Sequence, residues 1–189
     1  MNADPHPWAH SLAGLFQEAW TRLHRGVHDR RAATRHPTLA TVCPDGRPQA
    51  RTVVLRRADK AEASVSIYTD LRSGKIIDLQ ATDWAALHIW DSAAHLQLRM
   101  TARAKISAGE EITPLWEQMP EHARHAYGGS PAPGTSIDSA LEYDKKPSQA
   151  AFAVVALAIE DMDVLYLGQA HKRARFRRDD GWAGQWLVP

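Results

Sequence analysis

From Leu96 to Ala104 apolar and polar side chains alternate without a break. Leu96, Leu98, Met100, Ala102 and Ala104 fall on one side; Gln97, Arg99, Thr101 and Arg103 fall on the other. A period of two belongs to an extended strand with one face in a core and the other in water. A helix would scatter the same residues around its circumference. The chain must therefore build a sheet, and the polar face of this strand is free to line a site.

Shorter patterns flank it. Residues 39–43 are strand-like, Pro44-Asp45-Gly46 signals a turn, and residues 49–56 form a second strand, which predicts a hairpin. Residues 62–68, 84–90, 151–159, 164–167, 174–177 and 182–187 are further strand segments. Between 8 and 27, Trp8, Leu12, Leu15, Phe16, Ala19, Trp20, Leu23 and Val27 recur at spacings that predict an amphipathic helix. Residues 73–80 predict a short helix capped by Ser73. Residues 108–118 and 121–127 predict two helical pieces, and Gly128-Gly-Ser-Pro-Ala-Pro-Gly134 opens a loop that runs to about Ser148. The expected fold is mainly β, an antiparallel barrel with peripheral helices. At 189 residues it is expected to be one domain: a helix within 1–30, a helical insertion and loop over 107–150, and closing strands over 151–189.

A formal net charge of +1 argues against general attraction to nucleic acid or anionic membrane. The basic run 171–178 is partly offset by Asp179 and Asp180. No stretch approaches the roughly 18 apolar residues of a membrane span. The N-terminus lacks the basic-then-apolar order of a signal peptide, and the lone Cys43 excludes an internal disulfide. The expected location is the cytoplasm. His6 with His10 and His24 with His28 are four apart, but no third ligand is tied to either pair, so no metal site is expected.

The chemistry lies in Arg51-Thr-Val-Val-Leu-Arg56 and Tyr68-Thr-Asp-Leu-Arg-Ser-Gly-Lys75. Each run joins apolar residues to cations or hydroxyls, and the second opens into a helix. Arginine offers a planar fork and lysine a point charge. Ser73, Gly74 and Lys75 at a helix start add a hydroxyl, room for close approach and an ammonium, where N–H groups and the dipole already favour an anion. A plain N-cap with a solvated lysine explains that triplet as well; Arg51 and Arg56 on the preceding strands tip the balance toward a phosphate. Gln97 both donates and accepts, which suits a heterocycle.

With these residues in place, the chain resembles the pyridoxamine 5′-phosphate oxidase-like family of FMN-binding split β-barrels. The resemblance rests on Leu39-Ala-Thr-Val with Asp45-Gly-Arg-Pro48, on the two runs above, and on Gln97-Leu-Arg99, in the family's order and spacing. It implies an antiparallel, Greek-key type split barrel and a homodimer with FMN between subunits. Arg51, Thr52, Val53, Val54, Leu55 and Arg56 would lie along flavin and phosphate, followed by Tyr68 and Thr69. Ser73, Gly74 and Lys75 would hold the phosphate; Gln97 and Arg99 would meet the ring edge, with Tyr166 and Arg175 from the late strands.

The departures concern the substrate. Arg56 stands where true oxidases have lysine, Gly74 where they have arginine, and His171-Lys-Arg173 where they carry Arg-x-His. Arg124 is the nearest candidate for their substrate-phosphate arginine. Substrate contacts would fall to Arg56, Arg124, His171 and Arg173. The implied function is an FMN-dependent oxidoreductase for a small molecule. A non-catalytic flavin-binding or sensing protein is the alternative, as is the same fold carrying a deazaflavin or haem.

Overall fold

The computed structural model describes residues 6–189; the expectation of no signal peptide falls in part on residues 1–5, outside the described residues. Nine strands form one sheet: β1 (Thr38–Val42), β2 (Pro48–Thr52), β3 (Leu55–Asp59), β4 (Ser64–Asp70), β5 (Trp84–Asp91), β6 (Leu96–Ala108), β7 (Phe152–Tyr166), β8 (Lys172–Arg177) and β9 (Gln185–Leu187). Every ladder between them is antiparallel.

The order β2-β1-β5-β6-β7-β4-β3 puts β2 and β3 at opposite ends of the path, yet only Val53 and Val54 separate them in the chain. Such a link spans at most about 11 Å between flanking Cα atoms. The sheet must therefore curl until its edges nearly meet, although no ladder closes them. This corrects the expected single strand over 49–56. The strand breaks at Val53 and Val54, where the partner changes from β1 to β4, and the apolar run 53–55 carries no signal of that change.

The two strands expected over 151–159 and 164–167 are one, β7. Its first half pairs with β4, from Asp70↔Phe152 to Ser64↔Ala158. Its second half pairs with β8, from Asp161↔Arg177 to Tyr166↔Lys172. β6 runs along the other side, with a register shift between Thr101 and Ala102 that leaves Glu160 as the extra residue. The polar pair Glu160-Asp161 is a bulge, not a turn, and the sheet forks there. One arm is β4–β3, the other β8–β9; this fork is what splits the barrel.

The inner face of β6 is as its pattern demands: Leu96, Leu98, Met100 and Ala102 are buried. Helix α1 (Leu12–His28) lies against β3, β7 and β8 and begins where Ser11 Oγ accepts the Gly14 N–H at 3.0 Å. It buries Leu15, Trp20 and Leu23 completely, each contributing about 1.5–3 kcal/mol of transfer free energy. Helix α2 (Gly74–Ala81) follows β4. Helices α3 (Thr113–Gln118) and α4 (Glu121–Arg124) bring Trp116, Met119 and Tyr127 into a second apolar cluster with Phe152 and Val154. Helix α4 is a single turn and stops short of the expected residue 127. No helix of the described residues is long and apolar enough to cross a membrane.

Candidate functional site

Where the chain crosses from β2 to β3, it meets the end of β4 and the start of α2. The result is a cavity of about 360 Å³ lined by Arg51, Thr52, Val53, Val54 and Arg56 from the crossing, and by Tyr68, Thr69, Ser73 and Lys75 beyond it. Leu55 is fully buried in the core, so the crossing offers the cavity no Leu55 side chain. Gly74 is not among the cavity's lining residues; a Cβ there would meet nothing within 4 Å, so no close contact demands a glycine.

The cations are held in position. Thr41 Oγ1 donates to Asp78 Oδ2 at 2.6 Å and accepts from Arg51 Nη1 at 2.5 Å, while Arg51 Nη2 reaches Asp78 Oδ2 at 3.2 Å. Asp78 is buried and restrains the Arg51 fork at the cavity wall. Lys75 Nζ donates to Thr69 Oγ1 at 2.8 Å and to Ser73 Oγ at 3.0 Å. Ser73 occupies the N-cap position of α2, but its hydroxyl makes no capping bond and turns to Thr69 and Lys75 instead. The expected cap is thus a cavity-facing group.

Arg56 carries the most telling atom. Its Nε is buried without a hydrogen-bond partner, and its guanidinium lies 5.6 Å from the centre of the Tyr68 ring. A buried charged donor left unpaired costs about 1–3 kcal/mol or more. An incoming anionic oxygen would offset that cost. Burial lowers the Lys75 pKa below 10.5, with the Arg51 charge acting in the same direction against weaker help from Asp70 and Asp78. The cavity's own groups leave Lys75 short of negative charge, and a phosphate dianion there would raise its pKa. Phosphate affinity should accordingly fall as pH rises through the lowered Lys75 value, with the fall starting below 10.5. The ratio of FMN to riboflavin affinity isolates this effect, and Lys75→Met should flatten it; a ratio constant up to pH 10.5 would contradict the coupling.

Tyr127, Ala126, Pro133 and Asp70 also line the cavity, and the sequence reading missed them. Burial raises the Tyr127 pKa, with Arg56 opposing it. Asp70, directly after Thr69, was available in the motif. Burial pushes its carboxyl up, but hydrogen bonds from Arg72 and from the Gly128 N–H outweigh that and lower the pKa. Its stabilising contribution is full above the ordinary value of 3.8 and is lost as pH falls through the lowered one.

The late residues gather elsewhere. On the outer face of β6–β8, Arg99 Nη2 and Arg173 Nη2 both donate to Asp163 Oδ2, at 2.6 and 2.7 Å, and Arg175 Nε donates to Asp161 at 2.5 Å. These residues line a second cavity of about 400 Å³. Gln97 shares the face, with Oε1 3.3 Å from His88 Nε2. Tyr166 does not join them. It is 1% exposed, pairs with the buried Leu96, and packs edge-on against Trp8 at 5.3 Å. Leu165, opposite Gln97 and Arg173, holds the outward position. Arg124 lines neither cavity: it donates to the Met119 and Glu117 carbonyls at 2.9 and 2.8 Å and lies over Trp116. His171 is exposed just before β8.

Set against known proteins, residues 7–108 match the family described as pyridoxamine 5′-phosphate oxidase, FMN-binding domain. The chain belongs to this FMN-binding family. It is 33% identical over 155 residues to a pyridoxine/pyridoxamine 5′-phosphate oxidase of Xanthomonas euvesicatoria, a match covering 80% of this chain and 68% of that one. A like-named protein of Gloeothece citriformis is 37% identical over 87 residues, covering 46% and 40%. A pyridoxamine 5′-phosphate oxidase-related, FMN binding protein from Nostoc punctiforme superposes with TM-score 0.74 at 25% identity, covering 92% and 96%. PhzG from Burkholderia lata has the same fold, with TM-score 0.68 at 20% identity, covering 94% and 90%. FMN is the family's cofactor, and the cationic cavity with its orphaned Arg56 donor fits its phosphate.

Proposed function

We propose that this chain is an FMN-dependent oxidoreductase acting on a small molecule, working as a homodimer in the cytoplasm. The observation that carries the reading is the cavity of about 360 Å³ bearing Arg51, Arg56 and Lys75, with a buried guanidinium donor unpaired. FMN, when bound, supplies hydride or electron transfer. Arg51, Ser73 and Lys75 would bind its phosphate; Thr52 to Val54 would present extended backbone along it; Tyr68 and Tyr127 would wall off water. No side chain is assigned as acid or base.

A gap between two groups of residues supports the dimer reading. Of the residues suited to a flavin ring, Arg99 and Arg175 line a different cavity from the phosphate group, and Gln97 lies on the same sheet face. Their face also exposes Trp84 and Trp90, at 41% and 44%. A second copy that covers these residues would bring its own Gln97 and Arg175 to the first copy's phosphate cavity. On this reading FMN should leave when subunits are diluted apart; a verified monomer that keeps FMN would remove the interface.

The reading stops short of pyridoxamine phosphate as substrate, because Arg124 is committed to main-chain carbonyls. The test is the absorption spectrum of the purified protein, followed by oxygen uptake with pyridoxamine 5′-phosphate. A flavin spectrum is expected; a Soret band, or a colourless protein that takes up no FMN, would overturn the assignment.

A further inference from the structure

Beside the phosphate cavity lies a third one of about 520 Å³, which shares Asp70, Ala126 and Pro133 with it. This volume is in the range of small-molecule sites. Its outer wall is the loop after Tyr127, and hydrogen bonds pin that loop down. Asp70 Oδ2 accepts the Gly128 N–H at 3.0 Å, and Arg72 Nη2 donates to the Gly129 carbonyl at 2.8 Å. Ser130 and Asp144 exchange backbone bonds at 3.1 and 2.8 Å across the loop. Gly128 has φ +106°, and a Cβ there would sit 2.5 Å from the Ser148 nitrogen, so close backbone approach requires glycine.

The lining has a definite chemistry. His122, His125 and Lys145 supply nitrogen groups, while Asp70 is already neutralised by its two-pronged bond to Arg72. His125 Nδ1 lies 2.7 Å from the Lys145 carbonyl, which only accepts, so Nδ1 holds a proton and Nε2 is left for another partner. Tyr143, Ile137, Pro131 and Pro133 give flat apolar walls. Lys145 is the cation, His122 and His125 add ring nitrogens, and a cation set in such apolar walls suits a ring carrying a negative charge.

We propose that this cavity is a second ligand site, one that takes a small ring-bearing carboxylate next to the phosphate cavity. As the place of the substrate it rests on the flavin reading; as a binding site it does not, and the test separates the two. Benzoate is titrated into the full chain, with and without saturating FMN, while the ring signals of His122 and His125 are followed by NMR. Saturable shifts of both signals are expected in each case. Lys145→Met should weaken benzoate about tenfold, the loss of one charged contact, and leave FMN affinity within about twofold. Benzyl alcohol should bind about tenfold more weakly than benzoate. No saturable shift, equal binding of benzyl alcohol, an unaffected Lys145→Met variant, or displacement of FMN by benzoate would each overturn the proposal. Benzoate binding by a protein that takes up no FMN would uphold the cavity and refute the flavin reading alone.

Discussion

Replacing Arg51 and Lys75 together by alanine is expected to weaken FMN binding by more than about 2 kcal/mol, roughly 30-fold. Each side chain is expected to give one charge-assisted hydrogen bond to the phosphate, worth about 1.5–3 kcal/mol. The effect should exceed either single change, and for a structural reason. Arg51 is already shared with Asp78 and Thr41, and Lys75 with Thr69 and Ser73. Removing Arg51 alone leaves the buried Asp78 with the Thr41 hydroxyl, and its negative charge then opposes the ligand. Removing Lys75 alone leaves two hydroxyls that can turn toward the anion. Removing both strips the cavity of every cation but Arg56. A flavin titration that shows unchanged affinity in the double variant would reject this as the phosphate site.

Phe152→Ala should cost about 3–5 kcal/mol of stability, as for other fully buried aromatic truncations. Phe152 opens β7 and is the point where the sheet meets the helical insertion. Its ring contacts Tyr68 at 5.2 Å, Trp116 at 5.5 Å and Tyr127 at 4.9 Å. Tyr68 and Tyr127 line the phosphate cavity, so the void would loosen two of its walls at once. FMN affinity should fall together with the melting temperature. A variant that loses stability but binds FMN as before would show that the insertion does not shape the cavity.

The sequence made one face of the sheet legible because a period of two survives in any strand that is buried on one side. The alternation at 96–104 gave β6 and its polar face directly. It could not show that the chain changes sheet edges at Val53 and Val54, because the apolar run 53–55 reads as strand whichever partner is paired. It also divided β7 at Glu160-Asp161, where a bulge in a continuous strand carries the same polar signal as a turn. Arg51, Arg56, Ser73 and Lys75 could be picked out as a set because cations and hydroxyls beside a helix start suit an anion, and the structure brings them to one cavity. Their supports could not be picked out: Asp78 lies one helical turn beyond Lys75, and Thr41 sits on a strand that reads as ordinary β. Tyr166 fails by one residue of register. The pleat turns it inward beside Leu96 and gives the outer face to Leu165.

The central claim is that this cavity exists to hold a phosphate. Its most direct test is the dissociation constant of FMN against that of riboflavin, which has the same ring and ribityl chain but no phosphate, measured by fluorescence titration at neutral pH. Two or more charged contacts require FMN to bind at least about 100-fold more tightly. Equal affinity for the two flavins would contradict the account.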